Sequence, residues 1–155
     1  MAPVDEQPPF TVRAVNWYAN REALRAIRTR VFVEEQRVPE ELEWDDEDEH
    51  GYHVMALTAD GTPIGTGRLL RDGHIGRMAV LKEWRGKGVG SALLKFLLVI
   101  AYKMGFDEVK LHAQTHAVAF YARHGFMVEG GEFMEAGIPH VVMRRSTPPP
   151  PYPSL

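Results

Sequence analysis

The sequence contains no cysteine. Disulfides, thiolate zinc sites and a cysteine nucleophile are thereby excluded, while the compartment is left open, because cytosolic and exported proteins can both lack the residue. Long apolar runs are missing too. The longest stretch, residues 92–102, is interrupted by Lys95 and falls short of the roughly 20 residues needed to span a bilayer. No membrane partner is expected. The opening MAPVDEQPPF has acids and prolines where a secretory signal would have an apolar segment, so the expected location is cytoplasmic. Nor is there an excess of positive charge, since 18 Lys and Arg against 21 Asp and Glu leave a net charge of −3. A surface that neutralises phosphate backbones needs the opposite balance, and nucleic acid is not an expected partner.

What is present suffices for one core: 155 residues, 45% of them apolar, match a single domain. Residues 1–9 are polar and proline-containing, and residues 146–155 hold the run TPPPPYPSL, so both read as tails, the second disordered or polyproline II. The folded part is then 10–145, without internal repeats. Residues 10–15 alternate apolar and polar and predict a first strand. Asn20 is expected to open a helix on which Leu24, Arg28, Val31 and Glu35 share a face beside Ile27, and Pro39 to end it. Residues 40–49 form an acidic segment that periodicity does not place.

Residues 52–59 are apolar on both faces and run into Asp60-Gly61, a two-residue turn signal; residues 63–70 and Asp72-Gly73 repeat the pattern. With residues 74–81 they predict a three-stranded antiparallel meander. The period then changes. Val89, Leu93, Phe96, Leu97 and Ile100 make a helical stripe closed by Gly105. A strand at 109–113, a helix at 117–124 closed by Gly125, and a hairpin over 126–145 around Gly130-Gly131 complete the chain. The unit 74–113 should be a right-handed parallel crossover. The expected fold class is α/β: one domain, a mixed central sheet with an antiparallel meander and a parallel β-α-β crossover, and flanking helices.

Where the third meander strand gives way to that helix, the sequence reads KEWRGKGVGSALL. The first N–H groups of a helix lack intrahelical partners and the macrodipole adds about half a positive charge there, so the junction is an anion site. Glycines let backbone approach a pyrophosphate, Arg85 and Lys87 add charge, and Ser91 adds a hydroxyl. Gly86, Gly88 and Gly90 could equally serve only a tight turn. The GxxxxGK[ST] phosphate loop is absent, and GKGVGS does not match the dinucleotide GxGxxG.

RMAVLKEWRGKGVGSALL resembles the coenzyme A signature of the GNAT acetyltransferase superfamily, R/Q-x-x-G-x-G/A, which runs here from Arg85 through Gly86, Lys87, Gly88 and Val89 to Gly90. AVAFYARHGF is similar to the superfamily's second motif, and the order of elements agrees along nearly all of the folded part. RVFVEEQRVP, EWDDEDEHGYH, LHAQ and EAGIPHVVM together resemble the ElaA-like branch of small predicted acyltransferases. The resemblance implies acetyl-CoA as acyl donor. It implies that backbone groups of Met78, Ala79 and Val80 pair with the pantetheine arm beside a bulge that parts this strand from 109–113. It further places the N–H groups of Gly86 to Ser91 on the pyrophosphate and Tyr121 beside the coenzyme sulfur. Where many relatives carry asparagine this chain reads His112-Ala113-Gln114, which makes Gln114 the expected cofactor contact.

Attack on a thioester needs a free amine, and a lysine-like amine with pKa near 10.4 is only about 0.04% free at pH 7, a deficit of roughly 4.6 kcal/mol. A general base is therefore expected. The candidates, in order, are His112 beside the gap, His140 in GIPHVVM and Glu35 on the helix; histidine starts near pKa 6.5, whereas glutamate starts near 4.3 and needs burial. Each histidine could instead be a satisfied polar residue, and Glu35 an ion-pair partner of Arg28. His112, His116, His124 and His140 lack paired metal-ligand spacing, and no metal is expected. The run Asp45 to Glu49 reads as a solvated loop, or with Glu34, Glu35 and Trp44 as a negative mouth for a cationic acceptor. Phe120 reads as core.

The expectation is an N-acetyltransferase for a small-molecule or peptidic amine, working by direct attack in a ternary complex, with a homodimer compatible. A non-catalytic acyl-CoA sensor and an adaptor with the same fold are the alternatives.

Overall fold

The computed structural model describes residues 9–147. The expected tails, 1–9 and 146–155, lie mostly outside them. Strand β7 nevertheless runs to Ser146, and the Thr147 hydroxyl donates to Phe106 O at 2.7 Å, so hydrogen-bonded structure continues past the expected boundary at Arg145.

Asn16, not Asn20, opens the first helix, because its Oδ1 accepts from Ala19 N at 3.1 Å while its own backbone is still extended. Strand β1 (Phe10–Val15) precedes it, and helix α1 (Trp17–Arg28) continues into a π-helical stretch, Thr29–Glu35. Wider turns rotate the face. Leu24, Ile27, Arg28 and Val31 are buried, but Glu35 is exposed. The helix closes before Pro39, with Val38 N donating to Phe32 O and Arg37 in the left-handed region at φ 59°. Pro39 instead precedes a short helix, α2 (Glu40–Glu43).

Strands β2 (Tyr52–Thr58), β3 (Pro63–Leu69) and β4 (His74–Val80) form the expected meander. The Asp60-Gly61 connection is longer than a two-residue turn, since Thr58 N bonds Thr62 O across residues 59–62. Helix α3 (Val89–Lys103) leads to β5 (Glu108–Gln114), which lies parallel to β4. Helix α4 (Val118–Arg123), β6 (Met127–Glu135) and β7 (Ile138–Ser146) follow. The seven strands form one mixed sheet in the order β1-β2-β3-β4-β5-β7-β6.

The final hairpin turns at Ala136-Gly137, both at positive φ (52° and 76°), rather than at Gly130-Gly131. Those glycines lie in β6, where its register against β7 shifts between Glu129 and Phe133. A bulge and a tight turn both favour glycine, so the dipeptide alone marks either.

Strand β2 is apolar on both faces because both are covered. Val54 and Ala56 join the cluster built around Leu93, Leu94 and Leu97 of α3, while Met55 and Leu57 pack with Trp17 and Leu24 of α1. Burying such a side chain contributes roughly 1.5–3 kcal/mol. Sheet and helices are thus locked together, and the loops at the strand ends are free to carry chemistry.

Two acids of segment 40–49 are drawn into the fold, while Asp46, Glu47 and Glu49 stay exposed. Glu43 and Asp48 are buried, and Arg28 donates to Glu43 Oε2 at 2.7 Å and to Asp48 Oδ1 at 2.8 Å. Arg68 donates to Asp48 and Asp45, and Arg77 to Asp45 and the Glu43 carbonyl. Three arginines from α1, β3 and β4 thereby neutralise three acids. Trp44 lies against the guanidiniums of Arg25 and Arg28.

Candidate active-site cleft

Strand β4 pairs with β5 only at His74 and Ile75. At Arg77 the backbone enters the left-handed region (φ 53°), and the β3–β4 register shifts nearby. That bulge turns β4 away from β5, which continues alongside β7. Gly76, Ala79 and Val80 still pair with β3, so one edge of β4 faces a cleft of about 910 Å³.

At one end, the backbone N–H groups of residues 86–91 have no backbone hydrogen-bond partner among the described residues; the first amide bonded back into α3 is Ala92, to Gly88 O at 3.0 Å. Gly88 is left-handed at φ 86°, and a Cβ there would meet nothing within 4 Å. The turn therefore leaves orphan donors at a helix start, with open space beside Gly88. Arg85 donates from Nε to Val80 O (3.0 Å) and from Nη2 to Glu35 Oε1 (2.9 Å). Glu35 is thus tied to the glycine turn rather than to Arg28, and it does not line the cleft. Ser91 Oγ lies 3.0 Å from His124 Nε2. Burial, with Lys95, Arg145 and Arg123 nearby, lowers the His124 pKa and so favours the neutral ring.

Met78, Ala79, Val80, Arg85 and Gly90 line the cleft; Gly86, Lys87, Gly88 and Ser91 stand outside its lining, and Val89 is buried in the core. Phe120 is no simple core residue. It is half-buried, lines the cleft, and lies 3.4 Å from where a Gly90 Cβ would be. Beside it Tyr121 packs edge-on against Phe120 and Phe126, and burial pushes its phenol up to about 12. The hydroxyl makes no hydrogen bond to a described residue.

The β5–β7 wall brings His112, Gln114 and His140 into the same cleft, with Gln114 directly opposite His140 in register. Gln114 exchanges two amide hydrogen bonds with Gln36 at 2.8 and 3.1 Å, so its side chain bridges the end of the π-helical stretch to β5. Two acids to which the sequence reading gave no site role also line the cleft. Glu43 has its Oε2 held by Arg28 and Arg77; burial raises its pKa, opposed by the charges of Arg77 and Arg28. Glu135 lies beside both histidines. It opens the segment EAGIPHVVM, but with Gly130-Gly131 taken as the turn nothing places it opposite His112. Among the described residues no cluster of three or more His, Cys, Asp or Glu side chains could hold a metal, and no helix is long and apolar enough to cross a membrane.

A family model described as an acetyltransferase (GNAT) domain matches residues 15–147. An uncharacterized N-acetyltransferase of Bacillus subtilis, YjcF, is 40% identical over 123 residues, covering 77% of this chain and 87% of that protein. Among solved structures, an acyl-CoA N-acyltransferase from Pseudomonas aeruginosa superposes with a TM-score of 0.78 at 34% identity, covering 88% of this chain and 99% of that one. Escherichia coli ElaA gives a TM-score of 0.78 at 28% identity, with the same coverage of each chain.

Proposed function

The chain belongs to the GNAT acetyltransferase family, and from that premise we propose that it transfers an acetyl group from acetyl-CoA to a primary amine by direct attack in a ternary complex. One observation carries the reading: the open β4 edge ends at a glycine turn whose N–H groups lack backbone partners, with Tyr121 lining the same cleft. These residues fit an acyl-CoA. The amides of residues 86–91 would hold its pyrophosphate, the β4 edge its amide-bearing arm, and the bound thioester would supply the activated acyl group.

The remaining chemistry falls to side chains in the cleft. The acceptor must lose a proton before its nitrogen bonds the acyl carbon, and His112 and His140 both line the cleft where Glu35 does not. As the C–S bond breaks, negative charge gathers on sulfur. Tyr121 would donate a hydrogen bond to it in a pocket where no other described residue competes for that proton. Thiol release from acetyl-CoA, measured across polyamines, aminoglycosides, amino acids and peptide N-termini, tests the reading. Amine-dependent release supports it; binding of acetyl-CoA without release for any amine would indicate a sensor.

A further inference from the structure

Glu135 is the last residue of β6, and its carboxylate reaches across β7 to β5. Oε1 lies 2.9 Å from His112 Nδ1, and Oε2 lies 3.7 Å from His140 Nε2. All three side chains line the cleft. With both members more than a third exposed, the Glu135–His112 pair adds little to stability, so folding alone does not account for it.

The chemistry of the partners selects the tautomers. An ionised carboxylate only accepts, so His112 Nδ1 carries the hydrogen, and in the neutral ring Nε2 holds the lone pair. Phe133 and His74 hold that ring edge-on, at centroid separations of 5.1 and 5.9 Å. His140 spends its Nδ1–H on Ile138 O at 2.7 Å, so its Nε2 is the nitrogen turned toward Glu135. Of the two rings, only His112 combines a carboxylate behind one nitrogen with a second nitrogen that no described residue engages.

We propose that Glu135 is a positioning residue that holds His112 as the Nδ1–H tautomer, leaving Nε2 to take the acceptor's proton. This rests on the transferase reading above. In the step it serves, the ammonium proton passes to His112 Nε2 and the freed nitrogen pair bonds the acyl carbon. The C–S pair leaves on sulfur, the second proton of the acylated nitrogen passes through solvent to that thiolate, and the imidazolium, balanced by Glu135, returns its own proton to solvent through the open side of the cleft.

The test combines kinetics with ¹⁵N NMR of the imidazole nitrogens. Glu135→Ala should lower kcat at least tenfold, leave acetyl-CoA Kd and Tm nearly unchanged, and shift the His112 ring nitrogens away from the Nδ1–H pattern. Glu135→Gln retains an acceptor oxygen and should recover part of the rate. In a His112→Ala background, Glu135→Ala should cost nothing further, because the two act as one unit. An active wild type whose Glu135→Ala variant keeps its kcat, or keeps its ring-nitrogen signature, overturns the proposal. So does an equal loss in both backgrounds. Absence of amine-dependent thiol release from the wild type is a different failure and removes the transferase reading itself.

Discussion

Replacing Tyr121 by phenylalanine separates its chemistry from its packing. The ring stacks edge-on with Phe120 and Phe126, and phenylalanine keeps both contacts. Only the hydroxyl is lost. With the phenol pushed up to about 12 and an alkyl thiol near the cysteine-like value of about 8.5, full proton transfer to the departing thiolate is uphill by several pK units, roughly 5 kcal/mol. Tyr121 should therefore act as a hydrogen-bond donor, with the thiolate protonated later by solvent. A donor to a charged group contributes about 1.5–3 kcal/mol, so Tyr121→Phe should lower kcat roughly tenfold to a hundred-and-fifty-fold while acetyl-CoA Kd holds. Stability should hold. The hydroxyl has no protein partner to lose and opens on the cleft, so without substrate the variant should melt close to the parent temperature. Steady-state kinetics, calorimetric titration and a thermal melt read the three quantities. Unchanged kcat with a lowered Tm would refute the reasoning and leave Tyr121 a packing residue.

Gly88→Val places a β-branched residue at φ 86° and a side chain in the space before the orphan amides; acetyl-CoA should bind at least tenfold more weakly by calorimetry, with a strain of about 1–2 kcal/mol in the unliganded protein. Arg28→Ala leaves Glu43 and Asp48 buried without their shared cation, so urea unfolding should show a loss of about 3–5 kcal/mol; a loss under 1 kcal/mol would mean that Arg68 and Arg77 suffice. His53, stacked on Trp17 and donating to Asp48 O, has its pKa lowered by burial and further by Arg28 and Arg68. A depressed histidine contributes stability that is full above about pH 6.5 and lost as pH falls through its folded value, so wild type should lose stability relative to His53→Phe on acidification, by at most about 1.4 kcal/mol per pH unit. A constant difference between the two from pH 7.5 to 5 would contradict that.

The elements legible in the sequence were those whose signal is local. The two Asp-Gly turns and the alternation between them delimit the meander, and the RGKGVG junction marks the glycine turn because positive φ and close approach demand glycine there. What escaped depends on distance or on a change of helical pitch. The spacing of Leu24, Arg28, Val31 and Glu35 assumes an α-helix, and the π-helical stretch from Thr29 turns Glu35 out toward Arg85. Arg28, Arg68 and Arg77 come from three elements, so no periodicity foretells that they neutralise one acidic segment. Glu135 was in view in EAGIPHVVM but without a role, because Gly130-Gly131 outranks Ala136-Gly137 as a turn signal and shifting the turn changes which residue faces His112.

Residue-resolved amide hydrogen exchange with and without acetyl-CoA tests most directly whether the donor lies along β4 and on the glycine turn. The amides of residues 86–91, which lack backbone partners, should slow most on binding, together with cleft-facing amides of Met78, Ala79 or Val80. Slowing elsewhere, with these amides exchanging as in the free protein, would contradict the account.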